Sequence, residues 1–169
     1  MICDILVSLE TALKANINAQ VAAVATAKAV TLPTFTTDTD VAISDALIVP
    51  QTNGPWLYLL DAGNHKHLEN LDQYPSGSSG HTDFAYRVLV TVIYRADKTR
   101  RDMLLILNYL LWSAQIVIQK QNTTGKPYYW MEFEGNVDIG SLREGDKFFL
   151  ARAQSWLVRE RQNIGNSAI

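Results

Sequence analysis

Cysteine, charge and long apolar runs are all scarce in this sequence. A single cysteine, Cys3, excludes an intrachain disulfide framework and a cysteine-based zinc site. No uninterrupted apolar run reaches the roughly 18 residues of a membrane-spanning helix, so we expect no membrane contact. The net charge of −2 excludes a strongly basic nucleic-acid-binding protein on charge alone. No positive segment precedes the apolar residues at the N-terminus, which argues against a signal peptide.

Signature motifs of the common enzyme classes are also missing. The sequence has no phosphate-binding loop ending in Gly-Lys-Ser/Thr, no Gly-x-Ser-x-Gly elbow, no His-Glu-x-x-His and no dinucleotide-binding glycine pattern. We therefore expect no enzymatic activity, no catalytic residue and no cofactor. A small α+β hydrolase or ligand-binding domain that uses the histidines of the chain stays as an alternative.

Charge is both low and unevenly distributed. Charged residues form 19% of the chain, below the ~25% usual in soluble domains. A surface rich in Ser, Thr and Asn would explain the deficit, and so would a surface covered by other subunits. Residues 1–85 carry 3 Lys/Arg and 9 Asp/Glu, whereas residues 86–169 carry 12 and 8. Halves of opposite sign suit a subunit whose one flank meets the opposite flank of its neighbour.

Helical periodicity marks two long segments. Residues 4–29 repeat Leu, Ile and Val at spacings of three and four, which predicts a helix with one apolar face. Residues from about 98 to 119 predict a second helix, with Asp97 as its N-cap. Since no Pro/Gly linker divides the 169 residues, we expect one domain over residues 1–169.

Strands are predicted where compact or alternating apolar runs lie between turn residues. Residues 63–83, rich in Gly and Ser, predict one long flexible loop, and residues 162–169 a free C-terminal tail. Two main helices packed on an antiparallel or mixed β-sheet define an α+β fold. The predicted strands are 46–49, 56–60, 84–95, 128–139 and 148–159, with a turn at 140–146.

The second predicted helix is unusually apolar. Between Met103 and Ile118 only Asn108, Ser113 and Gln115 are polar. Most of its circumference therefore needs a cover, from the N-terminal helix, a second subunit or both. These sixteen residues span about 24 Å, short of the ~30 Å hydrocarbon core of a bilayer, which argues against a membrane role.

One stripe of this helix is the predicted subunit interface. The i, i+3, i+7 spacing places Tyr109, Trp112 and Ile116 on one side of the helix. We expect these three residues to pack against a neighbouring copy, with Trp112 as the main aromatic contact. Most of the remaining tryptophans are expected in the core: Trp56, Trp130 and Trp156.

Alternation along residues 84–95 predicts one fully buried strand face and one partly wet face. We assign Arg87, Thr91 and Arg95 to the wet face. Glu132 and Glu134 also share a strand face, and we interpret them as solvated rather than as a glycosidase pair, which would flank a sugar-binding cleft.

A basic cluster lies near the start of the second helix. It either contacts an acidic partner or a phosphate backbone, or forms a plain solvated turn. Positive charge at a helix N-terminus opposes the helix dipole, which Asp97 and Asp102 partly offset. Its members are Arg95, Lys98, Arg100 and Arg101.

All three histidines, His65, His67 and His81, fall in the predicted loop. His65 and His67, together with His81 or Asp83, would chelate a metal ion if the loop folded back on itself. A flexible loop rarely holds ligands within the tolerance that a metal site needs, so we expect no metal and interpret the histidines as polar loop residues.

The order of these elements resembles the tail terminator (tail completion) proteins of long-tailed bacteriophages, and neighbouring head–tail joining proteins of the same fold group. The resemblance spans most of the chain but carries no residue-level signature. The segments that carry it are Asp4–Lys28, Trp56–Asp61, Gly63–Asp83, Phe84–Arg95, Met103–Ile118, Glu132–Ile139 and Phe148–Arg159.

This resemblance implies a structural virion protein of the tail or neck, assembled in the host cytoplasm. Six copies would form a homohexameric ring that caps the tail tube and docks onto the head connector, while DNA passes through the lumen without sequence-specific binding. The loop with His65, His67 and His81 would contact the tube or connector, and Arg87, Thr91 and Arg95 would lie near the lumen. The alternatives are a head-closure or connector adaptor of the neck, and a monomer whose apolar helix is simply central.

Overall fold

The computed structural model describes residues 2–46, 53–63, 66–68, 80–95, 99–121, 123–144 and 147–164. In this part of the chain, two helices are followed by four strands, a third, long helix and two final strands. In chain order they are α1 (Ile2–Lys28), α2 (Thr37–Asp40), β1 (Val41–Ile43), β2 (Gly54–Asp61), β3 (Lys66–Leu68), β4 (Gly80–Arg95), α3 (Arg100–Gln119), β5 (Trp130–Glu144) and β6 (Lys147–Ile164).

The strands form one mixed sheet, so the predicted α+β class is confirmed. Its order is β1-β2-β4-β6-β5, and β3 pairs with β4 beside this path. Only the β1–β2 pair is parallel among the described strands. The open edges of the main path are thus β1 at one end and β5 at the other.

Both long helices lie on the same face of the sheet. Lys120 Nζ donates to Gln20 Oε1 at 3.0 Å, and the Lys28 ammonium lies over the Trp112 ring. From Gln20 to Lys28 the chain of α1 advances, whereas its contacts on α3 move back from Lys120 to Trp112. The two helices are therefore antiparallel. The sheet contacts of α1 are with β1 and β2, those of α3 are with β4 and β6, and β5 extends beyond α3 as an edge strand.

The first strand and the start of the second helix differ from the predicted ones. The short strand that the structure describes is Val41–Ile43, which pairs in parallel with Leu57–Leu59 of β2. Of the predicted strand 46–49, Ala46 is not strand, and residues 47–49 lie outside the described residues. Helix α3 begins at Arg100, and its N-cap is Thr99, whose Oγ1 accepts from Asp102 N–H at 3.2 Å. Asp97, the predicted cap, and Lys98 lie outside the described residues.

The predicted loop 63–83 also contains regular structure. Residues 66–68 form β3, and Gly80–Asp83 already belong to β4, where they pair with residues 161–164 of β6. Residues 162–164 of the predicted tail are thus strand, and residues 165–169 lie outside the described part. These segments do not alternate between apolar and polar residues, so their sequence alone does not indicate strands. They are identified by their backbone pairing. Similarly, the predicted turn at 140–146 is largely strand, because β5 continues to Glu144.

Candidate assembly surface

Helix α3 buries most of its apolar surface within its own chain. Its core-facing side includes Met103, Leu107 and Leu110, all at most 1% exposed. This side packs against the sheet strands β4 and β6, and α1 covers a flank. The N-terminal helix therefore covers part of the apolar surface of α3, and only what remains is open to a further contact.

What remains is one apolar stripe along α3. Leu105 is 46% exposed and Trp112 is 39% exposed, and Tyr109 and Ile116 are half-buried. Spacings of four, three and four place these residues on one side of the helix. We call Leu105, Tyr109, Trp112 and Ile116 the α3 stripe. The sequence prediction named three of them and missed Leu105, although it lies one turn before Tyr109 in the same periodicity.

Lys28, at the end of α1, lies against one side of the α3 stripe. Its Nζ is 5.1 Å from the centroid of the Trp112 ring. A cation over an indole face is attracted by the ring quadrupole, by about 0.5–1 kcal/mol at an exposed site. This contact holds the ring against the helix pair and fixes which side of it faces outward.

Two amide side chains of α3, Asn108 and Gln115, form hydrogen bonds with β6. Gln154 Nε2 donates to Gln115 Oε1 at 3.2 Å, and Arg152 Nη1 donates to Asn108 Oδ1. Arg152 Nε also lies 2.9 Å from Asp138 Oδ1 on β5. The amides of α3 thus orient Arg152 and Gln154 in the space between the helix and the edge of the sheet.

A groove of about 350 Å³ follows this polar seam between α3 and β5. Its lining combines aromatic surface with amide and guanidinium groups, and holds no serine, cysteine or histidine. Such a set makes hydrogen bonds and apolar contacts with polypeptide, and supplies no nucleophile paired with a base. We call it the α3–β5 groove; it is lined by Asn108, Leu111, Trp112, Gln115, Phe133, Asn136, Arg152 and Gln154.

Two arginines stand at one end of the stripe and groove. Arg100 and Arg101 are exposed at the start of α3, and Arg100 lines a hollow shared with Asp138 and Arg152. Asp102 is occupied locally, because its Oδ2 accepts from Thr99 Oγ1 at 2.6 Å. The N-cap of α3 is therefore formed by Thr99 and Asp102, without either arginine.

The opposite face of the sheet holds Arg87, Thr91 and Arg95, and one of the three assignments is wrong. Thr91 is 0% exposed. Its cross-strand partners are Tyr58 and Ala153, both buried, so strands distant in sequence enclose it. Arg87 and Arg95 are half-buried at the two ends of this face.

Each arginine of this face has a partner. Arg87 makes a bidentate contact with Glu134, Nε to Oε2 at 2.7 Å and Nη2 to Oε1 at 2.8 Å. These bonds raise the pKa of the Arg87 guanidinium. The Arg95 guanidinium lies 5.5 Å from the centroid of the Phe149 ring.

Glu132 and Glu134 are both exposed on β5, in agreement with the solvated interpretation. A register shift between Phe133 and Gly135 places Glu134 at a bulge. There it accepts from Arg87 and from Ser155 Oγ, at 2.6 Å from the latter. A carboxylate held by three donors is a structural group, and here it lies at the bulge.

The four tryptophans differ in how far their side chains are buried. Trp56 and Trp156 are buried. Trp130 is half-buried, with the Arg159 guanidinium 4.2 Å from its ring centroid. Trp112 is the most exposed of the four.

The histidine loop is only partly described. His65 lies outside the described residues, and the backbone of His67 and His81 belongs to β3 and β4. The register places His67 opposite Phe84, three residues from His81 along β4, or about 10 Å. Among the described residues, no group of three His, Cys, Asp or Glu side chains is arranged to hold a metal ion.

A buried tyrosine–glutamate pair lies on the helix-facing side of the sheet. Tyr86 is 7% exposed and Glu160 is 8% exposed, on adjacent strands. Burial, together with the hydrogen bond and negative charge of Glu160, raises the pKa of Tyr86 to about 12. Desolvation likewise raises the pKa of Tyr128, Tyr94 and Tyr58.

By length and composition, α3 is the one described helix that meets the requirement for crossing a membrane. Half of its most apolar stretch is buried in the fold, as in the core helix of a globular domain, which passes the same test.

Comparison with known proteins assigns no family to this chain. No protein-family model and no curated protein sequence matches it. What the chain does is therefore inferred from its own element order and surfaces.

Proposed function

We propose that this protein is a structural virion subunit that closes into a homohexameric ring, terminates the phage tail tube and joins the tail to the head connector. The observation that carries the proposal is the α3 stripe, an exposed apolar row led by Trp112 and bordered by the α3–β5 groove. Exposed tryptophan beside a lined groove is typical of interface centres. The order of helices and strands, which resembles that of tail terminators, directs this interface toward a ring.

The role is one of assembly rather than catalysis. Apolar contacts along the α3 stripe supply association free energy, and charged groups at its end set the register between copies. The ring would act in the tail or neck of the virion, after assembly in the host cytoplasm. DNA passes through its lumen and is contacted without sequence readout.

Electron microscopy of the purified protein, alone and with tail tubes, tests this proposal. Tubes are assembled from the tube protein encoded in the same genome and offered with wild-type protein or the Trp112→Asp variant. We expect wild-type rings at tube ends and bare ends with the variant.

Two outcomes would redirect the proposal. Rings that bind the purified head connector and leave tube ends bare would identify the adaptor of the neck instead. If the protein stays monomeric at high concentration and binds neither tubes nor connectors, the proposed ring is wrong.

A further inference from the structure

We propose that the ring contact is head to tail: the α3 stripe and α3–β5 groove of one copy receive the α2–β1 edge of the next. The α2–β1 edge is defined as residues Thr37–Ala46. This inference rests on the proposed ring and names the two surfaces that meet in it.

The fold places these two surfaces at opposite ends of the molecule. Strand β1 is one end of the sheet order and β5 is the other. Helix α1, over β1 and β2, separates α2 from α3. Two different surfaces at opposite ends cannot form a self-complementary pair. A contact between them repeats from copy to copy and forms a ring when the rotation between copies closes.

The α2–β1 edge is purely acidic. Between Lys28 and Lys66 the sequence contains four aspartates and no lysine or arginine. Asp38 and Asp45 are exposed. Asp40, by contrast, is held by the Thr36 N–H at 2.7 Å and the Thr39 hydroxyl at 2.9 Å. Asp38 and Asp45 form no ion pair or hydrogen bond with the described part of the chain.

The end of the α3 stripe carries the matching positive charge. Arg100 and Arg101 are exposed and form no ion pair within the described residues. The nearby carboxylates are already engaged, Asp102 with Thr99 and Asp138 with Arg152. Two uncommitted guanidinium groups beside an apolar stripe therefore face two uncommitted carboxylates on the opposite end of the next copy.

Open strand edges strengthen the same pairing. Within the described residues, β1 pairs only with β2, and β5 pairs only with β6. Unpaired edges expose backbone donors and acceptors that proteins cover or protect. A head-to-tail contact brings one open edge next to the other and shields both, which a contact between identical ends would not do.

Charge reversal on each surface separately tests this geometry. Variant one carries Arg100→Glu and Arg101→Glu, and variant two carries Asp38→Lys and Asp45→Lys. We expect each variant alone to lose ring formation and to associate at least about tenfold more weakly than wild type. Mixed one to one, they should form rings in which the two variants alternate, because the native pair of surfaces and the charge-reversed pair are both complementary.

A four-substitution chain and a matched control complete the test. All four changes together restore charge complementarity and should restore rings. The control exchanges Glu10 and Lys14, an ion pair at 2.9 Å on α1, through Glu10→Lys and Lys14→Glu, and should leave rings unchanged. Native mass spectrometry measures every species, and circular dichroism verifies that each variant is folded.

The outcomes separate this inference from the proposed function. Wild-type rings together with mixed variants that do not form alternating rings would overturn the head-to-tail contact and leave the ring intact. A folded wild-type protein without rings would overturn the ring itself.

Discussion

Thr91 is a fully buried polar residue on the sheet face opposite the two long helices. Its side chain is fully buried, and Oγ1 has no hydrogen-bond partner. A buried hydroxyl without a partner loses its hydration and gains nothing in return. The buried hydroxyl of Thr91 therefore lowers the stability of the folded protein, whereas a solvent-exposed hydroxyl would not.

Thr91→Val replaces the hydroxyl with a methyl group of similar shape. We expect the free energy of unfolding to rise by about 1 kcal/mol, because the unpaired polar group is removed. The control, Thr91→Ser, keeps the hydroxyl, loses the methyl and should lower stability by about 1 kcal/mol. Urea unfolding measures both, and a neutral or destabilising Val substitution would contradict the enclosed position.

Tyr86 and Glu160 couple stability to alkaline pH. The pKa of Tyr86 is raised to about 12 from its ordinary value of 10.0, first by burial and then by Glu160. The unfolded chain therefore loses this proton at lower pH than the folded protein. The stabilisation is present below pH ~10 and disappears as the pH rises toward about 12.

Tyr86→Phe should be less stable than wild type at pH 7, by about 1–2 kcal/mol, because the carboxylate of Glu160 loses a buried donor. Between pH 9 and 11.5 the wild-type protein should lose stability more steeply than the variant. Urea unfolding across this range compares the two slopes. Parallel slopes would show that Tyr86 titrates as it does in the unfolded chain.

At the scale of elements, α3 divides its circumference among three environments. One side enters the core, a seam of amides contacts β6, and the α3 stripe stays exposed. Most of the apolar side chains of α3 are thus buried against α1 and the sheet. Only a narrow row is left for a partner, so single substitutions in that row can separate assembly from folding.

Trp112→Asp should abolish ring formation and leave the helical content unchanged, since the position is 39% exposed. Stability should fall by about 1 kcal/mol, because the substitution removes the contact of the ring with Lys28. Light scattering measures assembly, and circular dichroism measures folding.

Two comparison variants make this result specific to the α3 stripe. Val7→Asp changes a residue that is 53% exposed on α1 and should leave rings intact. Leu110→Asp changes a fully buried residue and should unfold the chain. Rings that persist in Trp112→Asp would remove α3 from the interface.

At the scale of the whole molecule, the distribution of charge matters more than its sum. The net charge of −2 hides an acidic β1 end and a basic start of α3. The sheet order sends these two groups to opposite ends. A molecule with unlike ends favours contacts between different surfaces of successive copies.

Only folded copies associate with one another, so association stabilises the folded state. The melting temperature of the wild-type protein should therefore rise with protein concentration. Over a roughly hundredfold range of concentration we expect a rise of several degrees. The variant with Arg100→Glu and Arg101→Glu should melt at a constant temperature. Differential scanning fluorimetry checks both, and a flat wild-type curve would indicate a monomer.

Local periodicity in the sequence was sufficient to predict both long helices, most of the strands and three residues of the α3 stripe. These features depend on neighbours within one or two turns or on alternation along one strand, so the sequence carries them directly. The α+β class follows from their order. The opposite charge of the two halves is likewise visible without a structure.

Only the tertiary structure decided what covers each element. Thr91 lies buried because Tyr58 and Ala153, far away in sequence, flank it in the sheet. Asn108 on α3 accepts a hydrogen bond from Arg152, which lies 44 residues later in the sequence. Strand β3 and the ends of β4 and β6 exist through backbone pairing that leaves no side-chain pattern. Periodicity determines which side of an element is apolar, whereas the strand order determines what lies against it.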